Sequence, residues 1–210
     1  MLGTMLLVLL LVGQVAQAPP DSRLALDDVA RVVEPTGPIQ CPKVPLVSYR
    51  GDVIRYASPL RVNPDFRDRL RRFEAVVRDT AIEIYGRAPT QILHLGSFNC
   101  RRIRTWPDYL SEHGLGNALD VAGFVFAPLP RRATLPAELP KALARAFRVR
   151  IDPDWQGTQG VAALHARFLH ALTQRLVARL DIFRVLLGPA YPGHKNHFHF
   201  DCAPWHIVEI

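Results

Sequence analysis

The clearest pattern of apolar and polar positions in the chain is helical. From Asn63-Pro64 to Gly86, apolar residues recur every three or four positions, and arginine and acidic residues occupy the opposite face. Asparagine followed by proline is typical of a helix start, and glycine of a helix end. Residues 160–180 show the same spacing and predict a second long helix. The apolar faces consist of Phe66, Leu70, Phe73, Val77 and Ala81 in the first helix and of Val161, Leu164, Phe168, Leu172 and Leu176 in the second.

Three shorter stretches predict strands. Residues 91–98 and 118–126 are apolar runs, and in residues 197–201 histidine and aspartate alternate with phenylalanine. Because strand side chains alternate between faces, His197, His199 and Asp201 would share one face, with Phe198 and Phe200 on the other. The phenylalanines would pack in the core, so the polar face is available to bind a metal or to transfer a proton. Strands flanked by helices predict an α+β fold, with a small antiparallel sheet that carries the site.

The N-terminal part of the chain differs from the rest. Residues 1–18 hold an apolar run at 5–13 and then Ala16-Gln17-Ala18, a cleavage pattern that predicts a signal peptide. No Lys or Arg precedes the run and Pro19 comes directly after the cleavage pattern, where signal peptidases tolerate proline poorly, so an uncleaved anchor is the alternative. The run is nevertheless shorter than the ~20 apolar residues that span a bilayer. We therefore predict an extracytoplasmic (periplasmic or secreted) protein whose mature chain has no membrane span.

The remaining sequence divides into two parts. Residues 19–60 are rich in proline and, apart from a helix expected from about Asp21 to Val33, fit a wrapping arm. Residues 61–210 contain all the long periodic patterns and form the predicted domain. With 210 residues and 49% hydrophobic content, the chain suits one well-buried core.

Charge narrows the choice of partners. The formal net charge is +7, and the 26 Lys and Arg residues include only three lysines, Lys43, Lys141 and Lys195. A positive surface outside the cytoplasm favours anionic polymers, among them cell-wall glycans, teichoic acids, lipid headgroups and nucleic acid. The oligomeric state stays open.

The three cysteines, Cys41, Cys100 and Cys202, are too few and too scattered for a cysteine-based zinc site. In an oxidising compartment two could pair. Cys100 and Cys202 each end a predicted strand beside a histidine cluster, which favours a disulfide between them. The alternative is three buried thiols.

Two clusters carry the candidate chemistry. The stretch GHKNHFHFD at 193–201 holds three of the eight histidines, His194, His197 and His199. The stretch SEHGLGNALD at 111–120 places His113 seven residues before Asp120, which a continuous helix would separate by about 10.5 Å along its axis. The glycines between them favour a turn that brings the two side chains together. Two imidazoles and one carboxylate leave a fourth position for water, as catalytic metal sites do.

These stretches resemble known motifs. Residues 111–120 match at every fixed position the SxHxxGxAxD signature of the zinc D-Ala-D-Ala peptidases, and the pattern HxH at 197–199 resembles their second metal motif. The spacing of the histidines at 194, 197 and 199 is similar to that of penicillin-insensitive murein endopeptidases. With SFNCR at 97–101, LGP at 187–189 and HFHFD at 197–201, residues 40–203 resemble the bacterial extensin-like C-terminal domain family.

The resemblance implies a D-Ala-D-Ala metallopeptidase-like fold and a set of metal ligands. His113, Asp120 and His199 would bind Zn²⁺, and His197 would stabilise the developing oxyanion or assist proton transfer. Asp201 would support a ligand imidazole or cap the end of the strand. Ser111 would orient the site through a hydrogen bond or stabilise a turn through its hydroxyl.

Two further roles concern the reaction. His194 stands where many relatives have the glutamate that acts as general base, and histidine can take that role near neutral pH. Arg101 resembles an arginine that faces the substrate carboxylate or carbonyl, a task suited to its bidentate geometry. Arg102 and Arg104 are expected to be solvated surface charges.

Together these features predict a secreted zinc-dependent peptidase or amidase that hydrolyses peptide bonds in peptidoglycan stem peptides or cross-links. The alternative is a catalytically inactive, zinc-containing module that binds the cell wall or a partner, because the glutamate base is missing. A metal nuclease is a third hypothesis, favoured by the positive charge. Aromatic residues are sparse around the motifs, so no nucleic-acid partner is expected.

Overall fold

The structure, a computed structural model, describes residues 16–17 and 24–210. The predicted signal peptide, residues 1–18, lies outside the described residues except at positions 16 and 17. Among the helices of the described part, none is long and apolar enough to cross a membrane.

The described chain contains ten strands, three helices and two 3-10 turns. The helices are α1 (Pro64–Tyr85), α2 (Ile151–Asp154) and α3 (Gly160–Val177), and the 3-10 turns are Glu112–Leu115 and Lys141–Ala144. The strands are β1 (Ala16–Gln17), β2 (Val47–Tyr49), β3 (Arg55–Tyr56), β4 (Leu60–Val62), β5 (Gln91–Gly96), β6 (Ala118–Phe126), β7 (Phe147–Arg150), β8 (Val185–Leu187), β9 (Phe198–Asp201) and β10 (Trp205–Glu209).

Eight strands form one sheet in the order β1-β10-β8-β9-β6-β5-β3, and β7 also pairs with β6. The pairs β8–β10 and β3–β5 are parallel, and the other described pairs of this sheet are antiparallel. The strands β2 and β4 form a separate antiparallel pair. The predicted α+β class is confirmed, although the sheet is larger than expected and not purely antiparallel.

The predicted first helix is confirmed at both ends. The Asn63 side chain caps α1 by accepting a 3.0 Å hydrogen bond from Asp65 N, and Pro64 occupies the first turn, where a missing N–H costs nothing. Gly86 ends the helix in the left-handed conformation, with φ of 68°, and donates its N–H to Ile82 O. The apolar face predicted for α1 is fully buried.

The core lies between the long helices and one face of the sheet. Phe198 and Phe200 of β9 are both fully buried there. The Phe200 ring stacks on Phe183 with centroids 5.0 Å apart and meets Phe73 of α1 at 5.7 Å. Because side chains alternate along β9, its two other residues, His199 and Asp201, face the opposite side of the sheet. One short strand thus supplies both the core and the candidate site.

The described part of the predicted arm, residues 24–60, packs beside the site. Leu26 forms a small apolar cluster with Leu110 and Leu115, which flank the His113 segment. The arm residues Val29, Val33, Ile39, Cys41 and Val44 pack against this cluster. Residues 24–33 contain turns and a bridge between Val32 and Tyr109, and the helix expected to end at Val33 is absent from the described residues. Hydrophobic contacts thus pack the arm onto the domain beside the site.

The disulfide joins Cys41 to Cys100, with an S–S distance of 2.13 Å, and Cys202 is a buried free thiol. The predicted pair Cys100–Cys202 is therefore wrong. Cys202 continues the alternation of Phe198 and Phe200, so it faces the helices, where its thiol donates to Ile182 O. Cys100 lies in the loop after β5, where the arm brings Cys41 within reach.

Candidate metal centre

A short turn presents His113. The 3-10 turn Glu112–Leu115 ends at Gly116, whose φ of 61° is left-handed and whose N–H donates to the carbonyls of Glu112 and His113. A Cβ at Gly116 would lie 2.5 Å from Leu46 Cδ2 and 3.0 Å from Asn63 N, so only glycine fits. The turn predicted from the glycines of this motif is confirmed.

The sheet presents Asp120 and His199. They are directly paired across β6 and β9, as are Ala118 and Asp201 two positions along. Directly paired residues of an antiparallel ladder point to the same face, with Cβ atoms about 5 Å apart. The strand register therefore places a carboxylate and an imidazole side by side, opposite the core.

His113, Asp120 and His199, here called the metal trio, converge on one point. His113 Nε2 lies 3.2 Å from Asp120 Oδ1 and 3.3 Å from His199 Nδ1. Asp120 Oδ1 and His199 Nδ1 are 2.9 Å apart, and the three ligand atoms lie within 4.8 Å of one another. A group with this geometry could hold a metal ion.

The surroundings of Asp120 and His199 favour the charged forms of these two side chains. Burial alone would raise the pKa of Asp120, but hydrogen bonds and charge interactions with His113 and His199 hold it well below its usual value. Burial would lower the pKa of His199, yet Asp120 and Asp201 raise it to about 9. The trio is thus a strongly polar site, built to stabilise positive charge between its members.

Asp201 supports His199 from the side away from the trio. Asp201 Oδ2 lies 2.7 Å from His199 Nε2, while Oδ1 accepts a hydrogen bond from Ala203 N. A carboxylate that accepts the second ring proton of a ligand histidine fixes the orientation of the ring and directs the other nitrogen at the metal. Here that other nitrogen is Nδ1, which faces Asp120 and His113.

His197 and His194 lie beside the trio. His197 Nε2 is 3.9 Å from Asp120 Oδ1, and its Nδ1 donates to Asn196 Oδ1 at 2.9 Å. His194 Nδ1 donates to Pro192 O at 3.2 Å, and its ring lies 4.7 Å from the His197 ring. Burial lowers the pKa of both imidazoles, so both are neutral at neutral pH. In both rings Nδ1 holds the proton, so Nε2 carries the lone pair.

A cleft of about 610 Å³ opens over the trio. Its polar wall contains Arg101, Arg104, Ser111, Asp120, His194, His197, His199 and Asp201, and its apolar and aromatic wall contains Ile103, Trp106, Val185, Leu187, Tyr191, Trp205 and Ile207. The volume is in the range of small-molecule and peptide sites. The predicted metal ligand His113 lies below this surface, with 2% of its side chain exposed.

The arginines near the cleft differ in their surroundings. Arg101 is exposed, with a long 3.4 Å hydrogen bond to Arg102 O. Arg104 is also exposed and lines the cleft. Arg102, expected to be a solvated charge, instead donates to three arm carbonyls, those of Glu34, Thr36 and Gly37, at 2.7–3.0 Å. It therefore ties the arm to the cleft loop, and Arg101 and Arg104 remain directed at solvent.

Ser111 is buried and precedes the His113 turn. Its hydroxyl makes no capping bond to the turn. The backbone of Ser111 makes the contacts to the turn and to the neighbouring loop instead. Its N–H donates to Arg101 O, and its carbonyl accepts from Gly114 N. Ser111 lines the cleft, and the expected stabilisation of the turn by its hydroxyl is not observed.

The structure adds a buried network that the sequence did not indicate. Glu112, 3% exposed, pairs with Arg31 of the arm at 2.8 Å and accepts from Asn117 Nδ2 at 2.6 Å. Burial raises the pKa of Glu112, and the nearby Asp201 adds to this effect, while Arg31 and Asn117 oppose it. Arg31 and Glu112 are 81 residues apart, and no local pattern connects them.

The donor set fits a transition metal. Two imidazole nitrogens and one carboxylate oxygen are ligands that Zn²⁺ and several other divalent ions accept, whereas Ca²⁺ and Mg²⁺ prefer oxygen alone. The trio lies at the bottom of the cleft, so a substrate could approach a bound ion from that side.

The fold and the site together define a mixed α/β protein with a candidate metal centre. The sequence matches the family described as Extensin-like protein C-terminus over residues 25–151, and the chain belongs to this family. The match includes His113 and Asp120 and ends before the second histidine cluster. No curated protein and no solved structure matches the chain.

Proposed function

We propose that this protein is a secreted zinc-dependent peptidase or amidase that hydrolyses peptide bonds in peptidoglycan stem peptides or cross-links. The observation that carries the proposal is the convergence of His113 Nε2, Asp120 Oδ1 and His199 Nδ1 at the bottom of a cleft. The sequence motifs that carry these residues, at 111–120 and 197–199, resemble those of the D-Ala-D-Ala metallopeptidase group, to which we assign the chain. A zinc ion held there would polarise a scissile carbonyl and lower the pKa of the attacking water.

The neighbouring histidines suit proton transfer. His194 is neutral at neutral pH because burial lowers its pKa, and its Nδ1 donates to Pro192 O. Its Nε2 is therefore free to accept a proton, so we assign the role of general base to His194. His197, whose Nε2 lone pair lies 3.9 Å from Asp120 Oδ1, can take up a proton at Nε2 during the reaction, and the charged ring can then pass that proton to the leaving group or stabilise the developing negative charge.

The cleft suits an anionic peptide. Arg101 and Arg104 line it with exposed guanidinium groups, which bind carboxylates in a bidentate manner. We assign to Arg101 the contact with the substrate carboxylate or carbonyl. The apolar wall formed by Leu187, Trp205 and Ile207 offers a surface for aliphatic parts of the same substrate.

We propose an extracytoplasmic location. The disulfide between Cys41 and Cys100 fits an oxidising compartment, where such bonds persist. Peptidoglycan peptides lie outside the cytoplasm and carry carboxylates, so they fit both this location and the arginines of the cleft. The apolar run of residues 5–13 supports the same proposal.

One observation favours a second function. His194 stands where the resemblance leads one to expect a glutamate base, so the protein could be a catalytically inactive, zinc-containing module that binds cell-wall peptides. In that case the trio would hold zinc and the cleft would bind the peptide without cleaving it.

One experiment separates these functions. The metal content of the purified full-length chain is measured, and the protein is incubated with muropeptides, and with DNA in parallel, before and after chelation and zinc addition. We expect about one zinc per chain and zinc-dependent cleavage of muropeptides alone. His199→Ala is expected to lose both zinc and cleavage, and His170→Ala, an exposed histidine on α3, to keep both.

Each other result has a definite meaning. Stoichiometric zinc with intact muropeptides would contradict the enzyme and favour the binding module. Cleavage of DNA would favour the nuclease, and a chain without zinc after reconstitution would refute the metal centre.

A further inference from the structure

Arg31 lies in the arm, outside the residues that line the cleft, yet it contacts the segment that presents a metal ligand. We infer that Arg31 is a positioning residue for the metal centre, which acts through Glu112 to fix the turn that carries His113. The inference rests on the proposed zinc site, but it concerns metal binding and not the substrate.

The contact between Arg31 and Glu112 is buried and bidentate. Arg31 Nε donates to Glu112 Oε1 at 2.8 Å, and Nη2 donates to Oε2 at 3.2 Å. The side chains are 4% and 2% exposed, respectively. Two parallel hydrogen bonds between a guanidinium and a carboxylate fix direction as well as distance. Glu112 therefore has one orientation while Arg31 is in place.

Glu112 passes this restraint to both strands of the site. Asn117 donates its side-chain amide to Glu112 Oε2 and to Cys202 O, at 2.6 and 3.2 Å, and its backbone N–H to Glu112 O. Asn117 directly precedes β6, which carries Asp120, and Cys202 directly follows β9, which carries His199. The Glu112 carboxylate thus lies where the segments that carry the three ligands meet.

Arg31 is itself held by the arm. Its Nη1 donates to the carbonyls of Leu26 and Val29, and Leu110 N donates to Arg31 O at 2.7 Å. The residue therefore connects the arm backbone to the metal turn through fixed geometry. A lysine at this position would keep the positive charge but not these contacts, because it lacks the planar guanidinium group with its five N–H donors.

Arg69 of α1 provides a matched control. It is 6% exposed, compared with 5% for Arg31, and it also binds one carboxylate, Asp65, and one backbone carbonyl, that of Asp181. It lies on a helix that packs against the face of the sheet opposite the trio. Its replacement should destabilise the fold without moving a metal ligand.

The test is a metal titration of the full-length chain. Wild type, Arg31→Ala, Arg31→Lys and Arg69→Ala are stripped with a chelator and titrated with Zn²⁺ against a competing chromophoric chelator. Thermal unfolding is followed in parallel, and Co²⁺ absorption spectra report the ligand geometry. We expect Arg31→Ala to bind zinc about 10–100-fold more weakly, as is typical when a residue that orients a ligand is lost.

The other variants separate position from stability. Arg31→Lys should recover part of the zinc affinity, and its Co²⁺ spectrum should stay altered. Arg69→Ala should unfold at a lower temperature but bind zinc like the wild type. If Arg31→Ala does not fold, Arg31→Lys is compared with Arg69→Lys instead. Only Arg31→Lys should then bind zinc more weakly than the wild type.

The inference is overturned if Arg31→Ala binds zinc as tightly as the wild type, or more tightly. Tighter binding would follow if only the charge of Arg31 mattered, since its loss leaves the Glu112 carboxylate uncompensated near the trio. A wild type that binds zinc but cleaves no muropeptide would refute the enzyme and leave the role of Arg31 intact. A wild type that binds neither Zn²⁺ nor Co²⁺ would refute both.

Discussion

The metal trio and the cleft rim are held in different ways. By the cleft rim we mean Arg101, His194 and His197. The trio residues bond to one another across 7, 79 and 86 positions of the sequence. The rim side chains donate their hydrogen bonds to residues one or two positions away, in their own loops. The whole fold therefore fixes the trio, whereas local loops fix the rim.

This difference has a functional consequence. Metal affinity should depend on residues distributed over the chain, among them the arm, because all of them maintain the geometry of the trio. Rim residues should be exchangeable without loss of the metal. Substitutions in the two regions should therefore separate metal binding from turnover, and the following predictions test that separation.

The largest effect is expected at the rim. His194→Ala should lower kcat on a muropeptide by about 10²- to 10⁴-fold, the usual contribution of a general base. Zinc affinity should stay at the wild-type value, because the variant keeps the trio and Asp201. Steady-state kinetics and zinc titration on one preparation measure both quantities. A parallel loss of zinc would show that rim and trio are one unit.

The next effect concerns the disulfide that joins the arm to the rim loop. Cys41→Ser should lower the free energy of unfolding by about 2–4 kcal/mol, as loss of a native disulfide commonly does. Reductant should destabilise the wild type to a similar extent and leave the variant unchanged in denaturant titrations. Cys202→Ala is the control, because Cys202 is a free thiol and its variant should stay sensitive to reductant. A variant as stable as the wild type would contradict the prediction.

A smaller effect is expected behind the trio. Asp201→Ala should weaken zinc binding by about 10- to 100-fold, because His199 would lose the carboxylate that orients its ring. Asp201→Asn keeps an acceptor but loses the charge, so its loss should be smaller. Unchanged zinc affinity in both variants would mean that the strand backbone alone orients His199.

The smallest effect on the metal site is expected at the second ion pair of the arm. Asp27 faces Arg184 at 2.7 and 3.1 Å, with Leu24 N as a further donor and Arg31 nearby. Burial would raise the pKa of Asp27, but these partners lower it overall. Since the folded pKa is depressed, the stabilisation is present above the unfolded value of about 4 and is lost as pH falls through the folded value.

Asp27→Asn tests this pH dependence. The variant should show a shallower loss of unfolding free energy than the wild type as the pH falls below about 4, and it should bind zinc normally at neutral pH. Urea titrations at several pH values measure the first expectation. An unchanged pH profile would show that Asp27 is not linked to acid unfolding.

Several features could be predicted from the sequence because their signals are local. The cap at Asn63 and Gly86, the strand at 118–126 and the alternation in β9 all follow from spacing or from the properties of single residues. To predict that His113 lies near Asp120, it was enough to recognise a glycine-containing turn followed by the first residues of a strand. Local rules of this kind hold because each involves fewer than about ten residues.

Other features could not be found in this way. The Arg31–Glu112 pair spans 81 residues, and nothing in the arm marks Arg31 among the 26 basic residues. His165 of α3 is 6% exposed and bonds to the Tyr85 hydroxyl, 80 residues away in the sequence. These contacts depend on how distant segments pack. The disulfide is different, because the alternation that placed Phe198 and Phe200 in the core also excludes Cys202 from the face of the site.

The double use of β9 limits how this segment can change. Its residues alternate between the hydrophobic core and the metal site, and all four are buried. Inserting or deleting one residue would turn the phenylalanines toward the cleft and the ligand side chains toward the helices. A change in the length of this strand would therefore remove stability and metal binding in one step. Within β9, only substitutions at single positions can remove one and leave the other.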